Sequence, residues 1–276
     1  MHGSGEVFFH ENSPNYKGSK LQESVGDTHV CRSVVLGGCT MGYSYDRARH
    51  YGAGWDPSIW RWVGAEDHQN ELESVLRRSV QGTGDMYLVA PPKEVRQHYR
   101  NKAAVRGAVL EGDFDIHSPL VLSKVLPPGH VDRLLEWREW LEENPEHAGV
   151  DGSFLCDLDH HPGSRSIGGP YWPTMPTHNS IFSFARSRLA TSMECFTAHG
   201  LHVYPETSTV FSYPHRNILD SLDIREQMLL LGNSLLLPCV CAWVMYVWSN
   251  LESVEDMSPL VVQPDFVTTV SDDSDE

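Results

Sequence analysis

The sequence predicts an α/β fold, and three observations carry that prediction. Thr191-x-x-Glu194 is a capping box that opens a helix. Val131–Glu143 sets Leu134, Leu135, Trp137, Trp140 and Leu141 on one wide apolar face of a second helix. Met86–Ala90 is a short apolar run of the kind that forms a strand. With 276 residues, 40% of them hydrophobic, and eight Trp, the chain can bury a core in one large domain or two small ones.

Taken in order, residues 1–28 are rich in Gly, Ser, Asn and His and are expected to be disordered. Residues 29–65 hold Trp55, Trp60 and Trp62 in an irregular apolar stretch that periodicity does not assign. Within it, Leu36–Gly42 places glycines after an apolar run, which suits either a plain turn or a cofactor loop. Glu71–Ser79 is expected to be a helix feeding the Met86–Ala90 strand. Pro127-Pro128 precede the Val131–Glu143 helix and Asn144-Pro145 end it. Gly163–Tyr171 is a loop. A helix then begins near Ser192, with Leu189, Met193 and Phe196 as its apolar stripe and Gly200 as a left-handed C-terminal cap. Val203–Tyr213 is expected to be irregular with short strands.

In Arg225–Leu235, Gly232 can end one helix while Asn233 or Ser234 caps the next. Met228–Trp248 carries no charge and is long enough to cross a bilayer. Gly232, Asn233, Ser234 and Pro238 interrupt it, so a buried helix is favoured over a membrane span. Cys241, Val244, Met245 and Trp248 are assigned to its core side. Residues 256–276 end in Ser271-Asp-Asp-Ser-Asp-Glu276 and are expected to be an acidic disordered tail.

A formal charge of −16 argues against broad nucleic-acid binding, which draws its affinity from Lys and Arg neutralising phosphates. Any such contact must be local, and the basic clusters are Arg77-Arg78, Lys93–Lys102 and Arg186–Arg188, each of which also suits a solvated helix face. The six cysteines have irregular spacing, which suggests free thiols in a reducing compartment. Cys156, His160 and His161 could supply metal ligands, but no second pair follows at zinc-finger spacing, and no metal is assigned.

Residues 165–250 resemble the C-terminal part of the cytosine-5 DNA and transfer-RNA methyltransferase family. Arg188, Leu189, Thr191, Glu194 and Gly200 fit the pattern Arg, Leu-Thr-x-x-Glu, helix, Gly, with Ala190 inserted; Pro173-Thr174 and Thr177-His178 look like the Pro-Thr segment before it. Gln227, Leu231, Gly232, Asn233, Ser234 and Leu235 fit the last motif, Gln, Leu-Gly-Asn-Ser and an apolar helix. A degenerate upstream match lies at Gln81–Pro92, where Thr83 and Asp85 stand in place of the arginines of Gln-x-Arg-x-Arg. The family's Pro-Cys-Gln nucleophile loop has no counterpart, since Pro238-Cys239 lies inside the last motif. The Glu-Asn-Val segment, whose Glu stabilises the protonated ring, is also absent, as is the Gly-rich cofactor loop.

The resemblance implies a partial or divergent Rossmann-like class I methyltransferase. Residues 29–103 would be its partial α/β region, 104–170 an irregular target-recognition segment and 171–255 the C-terminal motifs. It implies S-adenosylmethionine as cofactor, with Asn233 and Ser234 bordering it, and Arg188, Thr191 and Glu194 in a structural or nucleic-acid-facing role. DNA or tRNA is the expected partner, with a catalytic methyltransferase chain as a possible second, no membrane, and a nuclear or cytoplasmic location. Without the nucleophile loop the chain is expected to be a fragment or catalytically incomplete. The alternative is a noncatalytic nucleic-acid- or partner-binding module.

Overall fold

The computed structural model describes residues 7–80, 82–162, 168–175, 180–201, 203–205 and 215–255. Gln81, most of Gly163–Tyr171, Thr177-His178, most of Val203–Tyr213 and the acidic tail lie outside the described residues. The fold mixes helices with small sheets.

The first sheet is built from β1 (Phe8–Asn12), β2 (Val30–Gly37) and β3 (Ala48–Trp55), with α1 (Gly18–Val25) between the first two. Their spatial order is β1-β3-β2, and β3 is antiparallel to both neighbours. β1 and β2 are therefore parallel to each other, and β1-α1-β2 is a β-α-β unit with a reversed strand inserted between its strands. Gly52 and Gly54 make room on one face. A Cβ at Gly52 would lie 2.5 Å from Cδ2 of Leu21 in α1, and one at Gly54 would lie 2.4 Å from the Phe8 ring. The opposite face carries Tyr51, Ala53 and Trp55, all buried.

Residues 8–12 and 18–25 thus correct the expectation of disorder over 1–28. β1 is too short for alternation to be seen, and it owes its strand to pairing with β3, some forty residues later. For the same reason the unassigned stretch 29–65 holds β2, β3 and β4 (Trp60–Trp62), with Trp62 stacked on Trp55 at 5.5 Å.

α2 (His68–Leu76) follows, capped by Asp67 accepting from the Asn70 N–H. Met86–Ala90 is not a strand: Gly84–Tyr87 is a 3-10 turn. A fold-back buries Tyr87 and Leu88 and leaves Met86 exposed. Tyr87 packs edge-on against Trp172 at 5.8 Å, and the Ala90 N–H donates to Glu194 Oε1 at 2.8 Å. α3 (Pro92–Val105), α4 (Pro119–Val125) and α5 (Pro128–Glu143) each open on a proline, whose fixed φ suits a first turn.

β5 (Leu155–Asp157), β6 (Ile181–Ser183) and β7 (Arg188–Leu189) form a second antiparallel sheet, ahead of α6 (Ser192–Ala198). Gly200 takes φ +86° after α6, as expected, and a Cβ there would come within 2.6 Å of Pro238. α7 (His215–Ser221), α8 (Ile224–Asn233), α9 (Leu237–Ser249) and β8 (Leu251–Ser253) complete the described chain, with β8 paired to β4.

Two cores result. One joins both ends of the chain, from Val34 and Trp55 to Trp243 and Val247. The other is drawn from Val95 to Leu189 and packs α3, α4 and α5 on the β5-β6-β7 sheet. α9 contacts β3 in the first core through Cys239, Trp243 and Val247, all buried. This corrects the expected face: Cys241 is exposed, Met245 is 69% exposed and Trp248 47%. The helix is apolar all round, so periodicity could not choose between faces. Ile224–Ser249 meets the length and apolarity of a membrane span, but the backbone is extended at Ser234 and Leu236, which divides it into α8 and α9.

Candidate functional site

The two C-terminal motifs meet in space. Thr191 accepts from the Glu194 N–H while Glu194 accepts from the Thr191 N–H, so the expected capping box is present. Arg188 grips the same carboxylate with two bonds, Nη2 to Oε1 at 2.6 Å and Nη1 to Oε2 at 2.9 Å. Arg188, Thr191 and Glu194 are all buried, which turns them into the molecule and away from a solvent-borne nucleic acid. Ser192 next to them bonds Gln227 of α8, whose amide donates to the carbonyls of Leu219 and Leu222 at 2.8 and 3.1 Å.

Asn233 and Ser234 end α8 and do not cap α9. The start of α8 is instead held by a second capping box, Asp223 with Glu226, that sequence reading overlooked although the spacing shows it. Asn233 is exposed, and no bond to its side chain occurs among the described residues. The Ser234 hydroxyl is engaged by the Leu231 carbonyl at 2.8 Å. Its own carbonyl accepts from Arg47 Nη2 at 3.1 Å.

Arg47 opens the arrangement that sequence reading missed. Its guanidinium is 4% exposed, and Nη1 lies 3.0 Å from His199 Nε2, which is also 2.9 Å from the Tyr45 hydroxyl. Burial, with Arg47 and Arg49 beside it, pushes His199 down to about 3, so its imidazole is neutral at pH 7 and supplies no counter-charge. Two residues on, Arg49 Nε lies 3.3 Å from Glu11 Oε1, an ion pair between the start of β3 and the end of β1. That pair lacks hydrogen-bond geometry. Glu11 Oε1 and Arg47 Nε are buried polar atoms with no hydrogen-bond partner among the described residues, a state that a bound ligand relieves.

A cavity of about 510 Å³ opens beside the pair, lined by Pro14, Asp46, Arg49, Tyr171, Pro173 and Thr174 among others. The Pro-Thr segment is fastened there: Thr174 Oγ1 donates to the Asp46 carbonyl at 2.9 Å, and the Asp46 N–H donates to the Trp172 carbonyl at 2.8 Å. Arg47-Ala48-Arg49 is an Arg-x-Arg sequence that leads into the buried strand β3. Thr83 and Asp85, assigned to that place from the sequence, enter a 3-10 turn in which Asp85 is buried and accepts from Ser183 Oγ at 2.6 Å. Glu11-Asn12-Ser13 departs from Glu-Asn-Val only at its third residue. Arg-x-Arg followed by His-Tyr-Gly-Ala-Gly-Trp, and Glu-Asn ahead of a proline, are the signals that could have drawn attention to both segments.

None of the thiols with a resolved shift is activated. Burial raises Cys39 to about 11 and Cys239 to about 12, and also raises Cys31, Cys156 and Cys195, the reverse of a nucleophile's requirement. Among the described residues no group of three His, Cys, Asp or Glu side chains is placed to hold a metal.

No model of a known protein family matches the chain. No curated protein matches it either.

Proposed function

We propose that this chain is the base-binding portion of a cytosine-5 methyltransferase-like protein acting on cytosine in DNA. The observation that carries the reading is the Glu11–Arg49 pair, which joins a Glu-Asn strand end to an Arg-x-Arg strand start and connects through Arg47 to the Ser234 turn. Arg49 and the Pro-Thr segment line one cavity, and Pro14, three residues after Glu11, stands in its wall. The sheet has α1 on one face and α9 on the other, which is compatible with a divergent α/β fold, although its reversed strand β3 is central where a doubly wound, Rossmann-like sheet has parallel neighbours.

Cytosine carries an exocyclic amine that donates and a ring nitrogen that gains a proton as a thiolate adds to C6. A carboxylate that accepts from the amine and shares the ring proton stabilises that charge. Glu11 Oε1 has no hydrogen-bond partner among the described residues and lies 3.3 Å from Arg49 Nε, so the base would share this oxygen with the Arg49 guanidinium. Arg49 is the arginine that lines the cavity and would meet an approaching phosphate, with Asp46 beside it as a competing negative charge. S-adenosylmethionine, where bound, supplies the methyl group. Asn233, with its free amide, fits a role beside it better than Ser234, whose hydroxyl is already engaged. The raised thiols favour a second reading of the same site, in which the chain binds cytosine without turnover unless a thiolate reaches it from elsewhere.

Fluorescence anisotropy with a short duplex holding one unpaired cytosine tests the proposal, because the cost of flipping the base is already met there. Arg49→Met is expected to weaken binding at least tenfold. Equal affinity for wild type and variant would remove the site from DNA recognition.

A further inference from the structure

A second cavity, of about 550 Å³, opens between the end of α3, the start of α5 and the first turns of α8, and it shares no lining residue with the one beside Arg49. One wall is apolar, formed by Val105, Val125, Pro127, Ile224, Met228 and Leu229. Val105 is 52% exposed and Leu229 56%, so folding leaves part of this apolar surface in water. An apolar cavity of this size with a few convergent polar groups is the usual form of a small-molecule site.

The charge in the lining is one-sided. Its carboxylate, Asp159, is already engaged by His130 Nε2 at 3.1 Å. Lys102, Arg106 and Arg225 also line the cavity, and none of the three pairs with a carboxylate among the described residues. Lys102 and Arg106 stand one turn apart at the end of α3, a spacing at which like charges repel and which an anion between them relieves.

The Lys102 ammonium is the poorly satisfied member. Among the described residues it donates only to Ser180 Oγ, a neutral group at 3.3 Å. Burial lowers its pKa, and the carboxylates of Asp159 and Asp157 offset only part of that. Ser180 accepts the Lys102 bond, so its own proton is free to donate. An ammonium and a hydroxyl side by side present one donor to each oxygen of a carboxylate, and bonds to a charged group are the strong ones.

We propose that this cavity binds an amphipathic monocarboxylate, an unbranched acyl chain whose carboxylate meets Lys102 and Ser180 while the chain lies along the wall of Val125, Ile224 and Met228. The site is separate from the Glu11–Arg49 pair, and it stands or falls without the cytosine reading.

The probe is dodecanoate, with dodecanol as the neutral control, each titrated calorimetrically into the full chain below the concentration at which it forms micelles. Dodecanoate should bind 1:1 and at least tenfold more tightly than dodecanol. Lys102→Met should bring the two to equal affinity. Val105→Glu puts a negative charge in the wall at an exposed position, so it should keep the wild-type circular dichroism and weaken dodecanoate at least tenfold. No binding of dodecanoate, uptake at many equivalent sites, equal affinity for the two probes in wild type, or full affinity in Val105→Glu would overturn the site.

Discussion

At the residue scale, Glu194 carries more than any other side chain. It is fully buried, closes the capping box, pairs with Arg188 and accepts from the Ala90 N–H, so it ties α6 to the segment before α3. Removing its counter-ion leaves an uncompensated buried carboxylate. Arg188→Met should therefore cost about 3–5 kcal/mol, whereas Thr191→Ala should cost about 1 kcal/mol through loss of one cap bond. Urea melts of the two variants check this, and equal costs would contradict it.

His98 offers a pH test at the same scale. Burial, with Lys102 and Arg188 beside it, lowers it to about 3, and its Nε2 has no partner. A lowered folded-state value means the unfolded chain binds the proton first, so stability is fully present above about 6.5 and falls as pH drops toward 3. His98→Leu should narrow the gap in Tm between pH 7 and pH 5, as thermal melts at the two values would show. An unchanged gap would mean that His98 protonates in the folded chain without penalty.

At the element scale, the capping residues and prolines were legible because their signals are local. Thr191–Glu194 and Gly200 were found, and the α5 helix was placed to within three residues of its start. The strands were not legible. β1, β2 and β3 are short, rich in Gly, His and Arg, and defined by pairing across tens of residues. Met86–Ala90 has strand composition, but its Tyr87 is buried by folding back on Trp172, a tertiary choice that composition does not encode. α9 failed differently, since an all-apolar helix gives no moment to read. Trp243→Ala should cost about 3–5 kcal/mol as a fully buried ring, and Met245→Ala should stay within about 0.5 kcal/mol as a surface change. Denaturant midpoints of both variants check which face is core.

At the scale of the whole molecule, the chain's two ends share one core while its middle builds another, so the candidate site draws on segments more than two hundred residues apart. That separation explains why Glu11, Arg47 and Arg49 were not read together from the sequence. Arg188, Thr191, Glu194, Asn233 and Ser234 lie within motifs compact enough to recognise. Glu11, Arg47 and Arg49 have meaning only once β1 and β3 are neighbours. The charge of −16 restricts any nucleic-acid contact to a local one.

The central claim is that Glu11 reads a cytosine. Cytosine offers it an amine donor where uracil presents a carbonyl, and a half-buried carboxylate should discriminate between them by about 1–3 kcal/mol. The direct measurement is the affinity of the chain for two duplexes that differ only in an unpaired cytosine or an unpaired uracil, for wild type and Glu11→Ala. The account predicts at least a tenfold preference for cytosine that disappears in the variant; equal affinities in wild type would contradict it.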